Sequence, residues 1–491
     1  MSDRGSVEHP SMVDTGIGSD MGQTPSNNWF RGYCFLWASA ALFHQASLQR
    51  IASNPVLLLL TLVAALVLFS PKRLGYLVVL AGAQIVEVVT HAPYYSNHWM
   101  LTTTVNVALL LATVGSMVTA ATWTPSTKRV LSLFVPAARG LILGLYFWAV
   151  FHKLNSGFFA TETSCATDLL AGFGPLVPSA VQSSTAVRGL MIAATLIVET
   201  AIPLLLFFRP TRLYGVLAGA FFHYMIGFNV YEAYYNFSSA LLAIFWLFLE
   251  PDWVDGGIVK IEAQVARFST HRWWPLALLG FRLTFLFLLC WLALWGRTSS
   301  KYQPLMVTIW VGYGAAFLLF VALQARSLGF RSQASNLSGS WRAFRPAQAW
   351  MLLVPILFFL NGAGPYVGGK TEQSLAMFSN LATEAGKSNH FIVRKPLSIF
   401  PFQERVVEIL STNDTWLDEL RKEGRGMVWF EFRDYLSRHQ EASVTYRLEG
   451  KVVEVSRAGE MPEFRAPTSM LARKYLFFRH PDLGSPPRCA H

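Results

Sequence analysis

The amino-acid sequence predicts an all-α polytopic membrane domain of about 9–11 helical segments, followed by a small C-terminal extramembrane α+β domain. Three observations carry this expectation. The 491 residues are 53% hydrophobic and only 14% charged, where a soluble protein carries about 25% charged residues. Long apolar runs succeed one another with short polar breaks until about Asn361. Beyond that point the composition turns polar and period-two alternation appears. A soluble multi-domain chain is excluded, because the runs offer no layer of polar surface residues.

The first run, Trp29–Leu48, is weak. Stronger runs follow at Pro55–Phe69, Leu74–Thr90, Met100–Ala121, Val130–Phe151, Val187–Phe208 and Leu213–Val230, then at Phe237–Leu249, Pro275–Leu294, Leu305–Leu323 and Trp350–Leu360. Several are shorter than the ~20 residues of an untilted crossing, so they extend into aromatic flanks or are shielded by neighbours. Arg139 interrupts Val130–Phe151. Its long stem predicts snorkelling toward Lys128-Arg129, leaving Gly140 as the start of the fully apolar part.

Basic residues set the expected topology. Lys72-Arg73, Lys128-Arg129, Arg209 with Arg212, the Lys260/Arg267/Arg272 set and Arg326/Arg331/Arg342/Arg345 fall mostly on alternate connections, which belong inside. The loops His91–Trp99, His152–Arg188 and Val230–Asn236 are poor in Lys and Arg and belong outside; Arg297 and Lys301 break the pattern weakly. The expected division is a disordered tail at 1–27 and a transmembrane domain at 28–325. A cytoplasmic loop with the last membrane helix follows at 326–360, and an extracytoplasmic domain at 361–491. Gly362, Gly364, Gly368 and Gly369 read as a flexible exit. Leu417–Arg425 reads as a helix, and Ser443–Leu448 with Gly450–Val455 as a hairpin turning near Glu449-Gly450.

The net charge of +11 fits cytoplasmic loops and attraction to anionic headgroups, with no basic run that marks a nucleic-acid partner. Cys34, Cys165, Cys290 and Cys489 have no CxxC spacing, so no zinc site or thioredoxin-like pair is expected. Cys165 and Cys489 can pair if they share an oxidising side, but free thiols are the favoured reading.

Polar residues inside apolar runs are the informative ones, because each must find a partner or water. Gln84, Glu87 and His91 share one helix face. Glu87 either lines a polar cavity or makes a structural hydrogen bond between helices. His98 stands at the entrance of the next run, as an interfacial solvated group or a site residue. Glu199 precedes Pro203, which has no N–H for the carbonyl of residue 199, so a kink beside a buried carboxyl is expected. Glu199 is also a candidate counter-ion for a nearby Lys or His. Gly215, Gly219, His223 and Gly227 form a stripe at spacing four, open to close helix packing or to a flat ligand. Asn229, Tyr231, Glu232, Tyr234 and Tyr235 follow at the outer mouth.

Lys153 closes the apolar run Gly140–Phe151 and is the strongest candidate. A lysine costs roughly 2.5–3.5 kcal/mol at a bilayer centre, and a desolvated amine can act as a base. The alternative is snorkelling to the headgroups. The expected outside location disfavours a mere topological lysine, and the loop from Thr161 to Asp168 adds acids that can pair with it.

Tyr146-Phe-Trp-Ala-Val-Phe-His-Lys-Leu-Asn-Ser-Gly-Phe-Phe159 resembles the helix end and loop of the HTTM superfamily, the membrane domain of vitamin K-dependent gamma-carboxylase. Tyr95-Ser-Asn-His-Trp99, Val198-Glu-Thr-Ala-Ile-Pro203 and Phe221-Phe-His-Tyr-Met-Ile-Gly-Phe-Asn229 agree with it, over roughly residues 30–325. The likeness is to bacterial HTTM-domain proteins, and Lys370–Asn380 resembles segments downstream of that domain in them. The resemblance implies a bacterial inner-membrane protein in which Lys153 is the base that deprotonates a reduced, vitamin K-like quinone. His152 and His98 would assist it, while Glu87, Glu199, His223 and Asn229 would line the pocket. The family pattern Lys-Lys-Leu-Asp stands here as His152-Lys153-Leu154-Asn155, and Thr122–Arg129 has no histidine. The expected partners are membrane lipids, a lipophilic small molecule and an extracytoplasmic protein or peptide. The functional alternatives are a carboxylase-like enzyme, a transporter or peptide-handling protein, and a scaffold for an extracytoplasmic partner.

Overall fold

The computed structural model describes residues 27–48, 54–174, 177–229, 234–294, 302–328, 337–484 and 488–489. The expected tail up to residue 26, together with Tyr231, Glu232, Arg297, Lys301 and Arg331, lies outside these residues.

The helices of the first part are α1 (Asn27–Ala46), α2 (Pro55–Phe69), α3 (Leu74–His91), α4 (Asn97–Ala120) and α5 (Thr127–Lys153). The short α6 (Ser156–Phe159), α7 (Cys165–Ala171) and α8 (Ser179–Gln182) lead into α9 (Thr185–Phe207). Then come α10 (Arg212–Ile226), α11 (Tyr234–Trp246), α12 (Pro251–Ser269), α13 (Trp274–Leu294), α14 (Tyr302–Leu328) and α15 (Leu353–Gly362). Local chemistry sets several boundaries. Asn54 caps α2 by accepting from Val56 and Leu57 N–H with Pro55 at the first helical position. Ser126 caps α5.

Among the described residues five helices are long and apolar enough to cross a membrane: Leu74–His91, Asn97–Ala120, Thr127–Lys153, Thr185–Phe207 and Gln303–Arg326. Pro55–Phe69 and Ala349–Gly362 are apolar but shorter, and α11 and α12 would make a further span but are bent by 109°. The Lys260/Arg267 stretch, expected as a loop, is α12. Its first turns bury Trp253 and Val254, while most of its later residues are exposed.

Direct bonds show how the helix ends are arranged. Trp29 Nε1 donates to Leu249 O and Trp246 Nε1 donates to Trp29 O, tying the start of α1 to the end of α11. Asn236 donates to Ser47 at the other end of the same two helices. The connections poor in Lys and Arg gather at that second end, where Pro93, Asn97, Leu154 and Tyr234 all touch residues 373–391. Arg139 turns toward the end of the bundle where α5 begins, as its stem predicts. Its guanidinium donates to Leu247 O, just past α11, at 2.9 and 2.5 Å and to Ala343 O at 3.2 Å, in the segment whose Ala347 N–H donates to Ser132 O.

Residues 369–391 form a cap without regular secondary structure. Gln373, Leu375, Phe378, Asn380 and Ala385 all have positive φ, a cost that dense hydrogen bonding over-determines. The glycines before the cap serve close approach rather than flexibility. A Cβ on Gly362 would stand 2.3 Å from the Trp148 ring, and one on Gly368, where φ is +74°, 2.0 Å from Phe400 O.

The C-terminal part holds a four-stranded antiparallel sheet in the order β2-β1-β3-β4, from β1 (Val406–Thr412), β2 (Met427–Val428), β3 (Val444–Leu448) and β4 (Lys451–Val455). Helices α16 (Thr415–Lys422) and α17 (Trp429–Arg438) pack on it around Val407, Leu417, Phe432 and Tyr446, and α18 (Met470–Tyr475) follows. The β3–β4 hairpin turns at Glu449-Gly450, both with positive φ, which a two-residue turn matched to strand twist requires.

Candidate functional site

Lys153 ends α5, and its side chain is turned into the protein with 4% of its surface exposed. Nζ donates to Glu199 Oε2 at 2.8 Å and to Ala149 O at 3.2 Å. The Phe158 ring lies 5.8 Å from the amine. The ion pair joins α5 to α9, and the carboxylate is buried too. Two charges out of water hold together only when paired and hydrogen-bonded, and both conditions are met here.

Tyr146 lies seven residues before Lys153, on the same face of α5. Its hydroxyl is 2.8 Å from His223 Nε2, and it lies within electrostatic range of Glu199. His223 is buried, and its Nδ1 has no hydrogen-bond partner among the described residues. The glycines around His223 serve packing. Gly215 meets the backbone of α9, Gly219 the Phe245 ring and Gly227 the Trp310 ring. Lys153, Glu199, Tyr146 and His223 thus bring three helices to one buried polar cluster.

An apolar roof covers this cluster. Phe158, Cys165, Ala166 and Ile192 pack together, with Leu196, Phe378 and Cys489 against them. Ile192, Leu196 and Glu199 follow one face of α9, so the roof runs directly onto the carboxylate. Cys165 and Cys489 form a disulfide, which corrects the expectation of free thiols. Spacing in sequence carried no sign of it, because the two residues are 324 apart.

His152 points elsewhere. Its Nδ1 is 2.9 Å from Tyr366 Oη, its Nε2 is 3.2 Å from Ser374 O, and its ring stacks on Trp148. It is a fastening for the cap. Asn155 does similar work: it donates to His152 O and Ser379 O and accepts from Phe158 N–H and Asn389. His390 reaches Phe151 O at 2.8 Å, and burial lowers its pKa. Lys370, also in the cap, is buried with no hydrogen-bond partner for Nζ among the described residues. It faces the Tyr475 ring at 4.4 Å, and burial pushes its pKa down to about 8.

Glu87 and His98 belong to a second buried cluster. Glu87 Oε1 is 2.8 Å from His44 Nε2, an interhelical bond between α3 and α1. Gln84 accepts from Asn106, which in turn accepts from Trp37. His98 is half-buried, held by Ser96 and within electrostatic range of His44. A small cavity between Trp37, His44, Gln84, His98 and Asn236 offers about 10 Å³, room for roughly one water molecule. The Phe237 ring touches both His98 and His223 and so stands between the two clusters. Asn229 is buried against Gly172, where a Cβ would stand 1.7 Å from its amide nitrogen.

Two partners were missed from sequence. Tyr146 is signalled by its place seven residues before Lys153. His44 is the polar residue near the end of the weakest run, the kind of position that calls for a buried acid. Among the described residues no group of three or more His, Cys, Asp or Glu could hold a metal ion. No protein-family model, curated protein or solved structure matches this chain.

Proposed function

We propose that the chain is an integral membrane protein of the HTTM type, an enzyme in which Lys153 acts as a base on a lipophilic substrate. The observation that carries this reading is the Lys153–Glu199 contact at 2.8 Å, buried under an apolar roof beside Tyr146 and His223. Glu199 is placed to take the proton that leaves Lys153, and Lys153 then accepts one from a substrate hydroxyl. Tyr146 holds the His223 ring through Nε2, which leaves Nδ1 as the open polar atom of the cluster. That orphaned nitrogen is what a polar substituent on an otherwise apolar ring would satisfy, so the residues fit a reduced quinone. A reduced quinone would supply an acidic hydroxyl and two reducing electrons. Lys153, Glu199 and His223 would face it; Phe158 and Ile192 would exclude water.

The test uses the full-length protein in lipid nanodiscs with a reduced naphthoquinone, following quinol oxidation and oxygen uptake. Wild type turns over, and Lys153→Ala lowers the rate by about 10²–10⁴-fold with unchanged expression and folding. Lys153→Arg keeps the charge but not the base, and falls with it. Full turnover in either variant would rule out the base assignment.

A further inference from the structure

We propose that residues 391–402 form an interfacial strap that inserts into the outer leaflet of the bilayer and anchors the cap. The strap has no regular secondary structure before the 3₁₀ turn that starts at Pro401, yet most of its large side chains point outward. Ile392 is 66% exposed, Leu397 72% and Ile399 65%, with Phe391 and Phe400 also exposed. So dense a run of exposed apolar groups marks a binding surface, since single exposed hydrophobics are ordinary but contiguous ones are not. The exposed Arg394 and Lys395 sit in the middle of the run. Long basic side chains flanked by Phe, Ile and Leu suit the headgroup boundary, where the apolar groups sink and the cations meet phosphate.

The strap is fixed at one height on the helix bundle. Phe391 N–H donates to Leu154 O, just past the end of α5. Leu397 and Phe400 N–H donate to Tyr366 O and Val367 O, just past the end of α15. The Phe391 ring packs on Phe159 at 5.4 Å. Immediately below, Phe147 on α5 and Leu357 and Leu360 on α15 are exposed. The apolar surface of the helices therefore continues into the strap without a polar break, and the strap lies where that surface ends. A bilayer is the occupant that covers both. This rests on the membrane reading given above. The strap begins one residue after His390, so lipid contact would hold the cap that fastens His152 and Asn155.

The experiment places a fluorescent label on single cysteines in the full-length Cys34→Ser, Cys290→Ser background, with the native disulfide kept. The sites are Leu397→Cys in the strap, Leu357→Cys on α15 and Val452→Cys on the β4 strand. Vesicles contain phosphatidylcholine and phosphatidylglycerol with spin-labelled lipids of shallow or deep label position, and iodide is the aqueous quencher. The expected result is quenching of the 397 probe by shallow spin lipids and several-fold weaker iodide quenching than at 452. If 397 is as open to iodide as 452 while 357 is still quenched by lipid, the strap proposal falls and the membrane reading stands. If 357 is untouched by lipid, the membrane reading falls and takes the strap with it. Shielding of 397 from iodide without lipid quenching would mark a protein partner and overturn the proposal.

Discussion

Lys153 Nζ and Glu199 Oε2 stand 2.8 Å apart, each buried, with no second carboxylate bonded to the amine and no second amine bonded to the acid among the described contacts. Removing one partner leaves a buried charge uncompensated, which costs roughly 3–5 kcal/mol. Lys153→Met and Glu199→Leu should each lower the thermal midpoint of the purified protein sharply. The double variant should recover much of that loss, because both desolvation costs vanish together, while activity stays lost. Thermal scans in detergent or nanodiscs check this. A double variant as unstable as the worse single one would show that the pair is not the relevant unit.

The Cys165–Cys489 disulfide ties the chain's end to the roof over that pair. A cross-link of this kind typically contributes about 2–4 kcal/mol. Cys489→Ser should therefore raise hydrogen exchange in α7 and in residues 370–391, with α3 and α4 unchanged. Uniform exchange across the chain would mean that the bond stabilises the whole fold and not the roof.

Glu87 and His44 make a separate buried contact at 2.8 Å. Glu87→Gln keeps an oxygen that can accept from the imidazole N–H, so it should cost little. His44→Leu leaves the carboxyl without a partner and should cost about 1–3 kcal/mol. Comparing the two variants by thermal unfolding decides whether this cluster is structural. Equal losses would show that the charge, not the hydrogen bond, is what the site uses.

The helices were legible because an apolar run bounded by basic residues has few alternatives, and the hairpin because period-two alternation runs on both sides of Gly450, the residue type that takes positive φ most readily. Lys153, Glu199, Glu87 and His223 were legible singly, since each is costly in an apolar run. Their partners were not. Lys153 and Glu199 are 46 residues apart, on different helices, and helical periodicity reports only which face a residue takes. His152 shows the converse: adjacent to Lys153 in sequence, it turns to Tyr366 and Ser374 on another face. The cap was least legible. Gln373, Leu375 and Phe378 are not turn-formers, and only tertiary bonds hold their positive φ. Helix α12 was hidden because Lys260 and Arg267 read as loop charges rather than as one face of a helix.

Lys370 supplies a pH test of the cap. Burial lowers the pKa of this amine from 10.5 to about 8, and the unfolded chain keeps the ordinary value. Between these two values the unfolded state binds a proton that the folded state does not. Stability therefore rises with pH from about 8 to 10.5 on account of this residue, and below pH 8 the full cost of holding a buried ammonium is present. The shift corresponds to about 3 kcal/mol, partly offset by the Tyr475 ring beneath the amine. Lys370→Met removes the titrating group while keeping an unbranched apolar stem. It should raise the thermal midpoint at pH 7 and flatten the pH dependence between 8 and 10, so that the two proteins converge at the alkaline end. Scans at several pH values measure both. If the variant kept the wild-type slope, the titration would belong to another group, and if it were less stable at pH 7, Lys370 would have to be bonded in solution to a group that stabilises its charge.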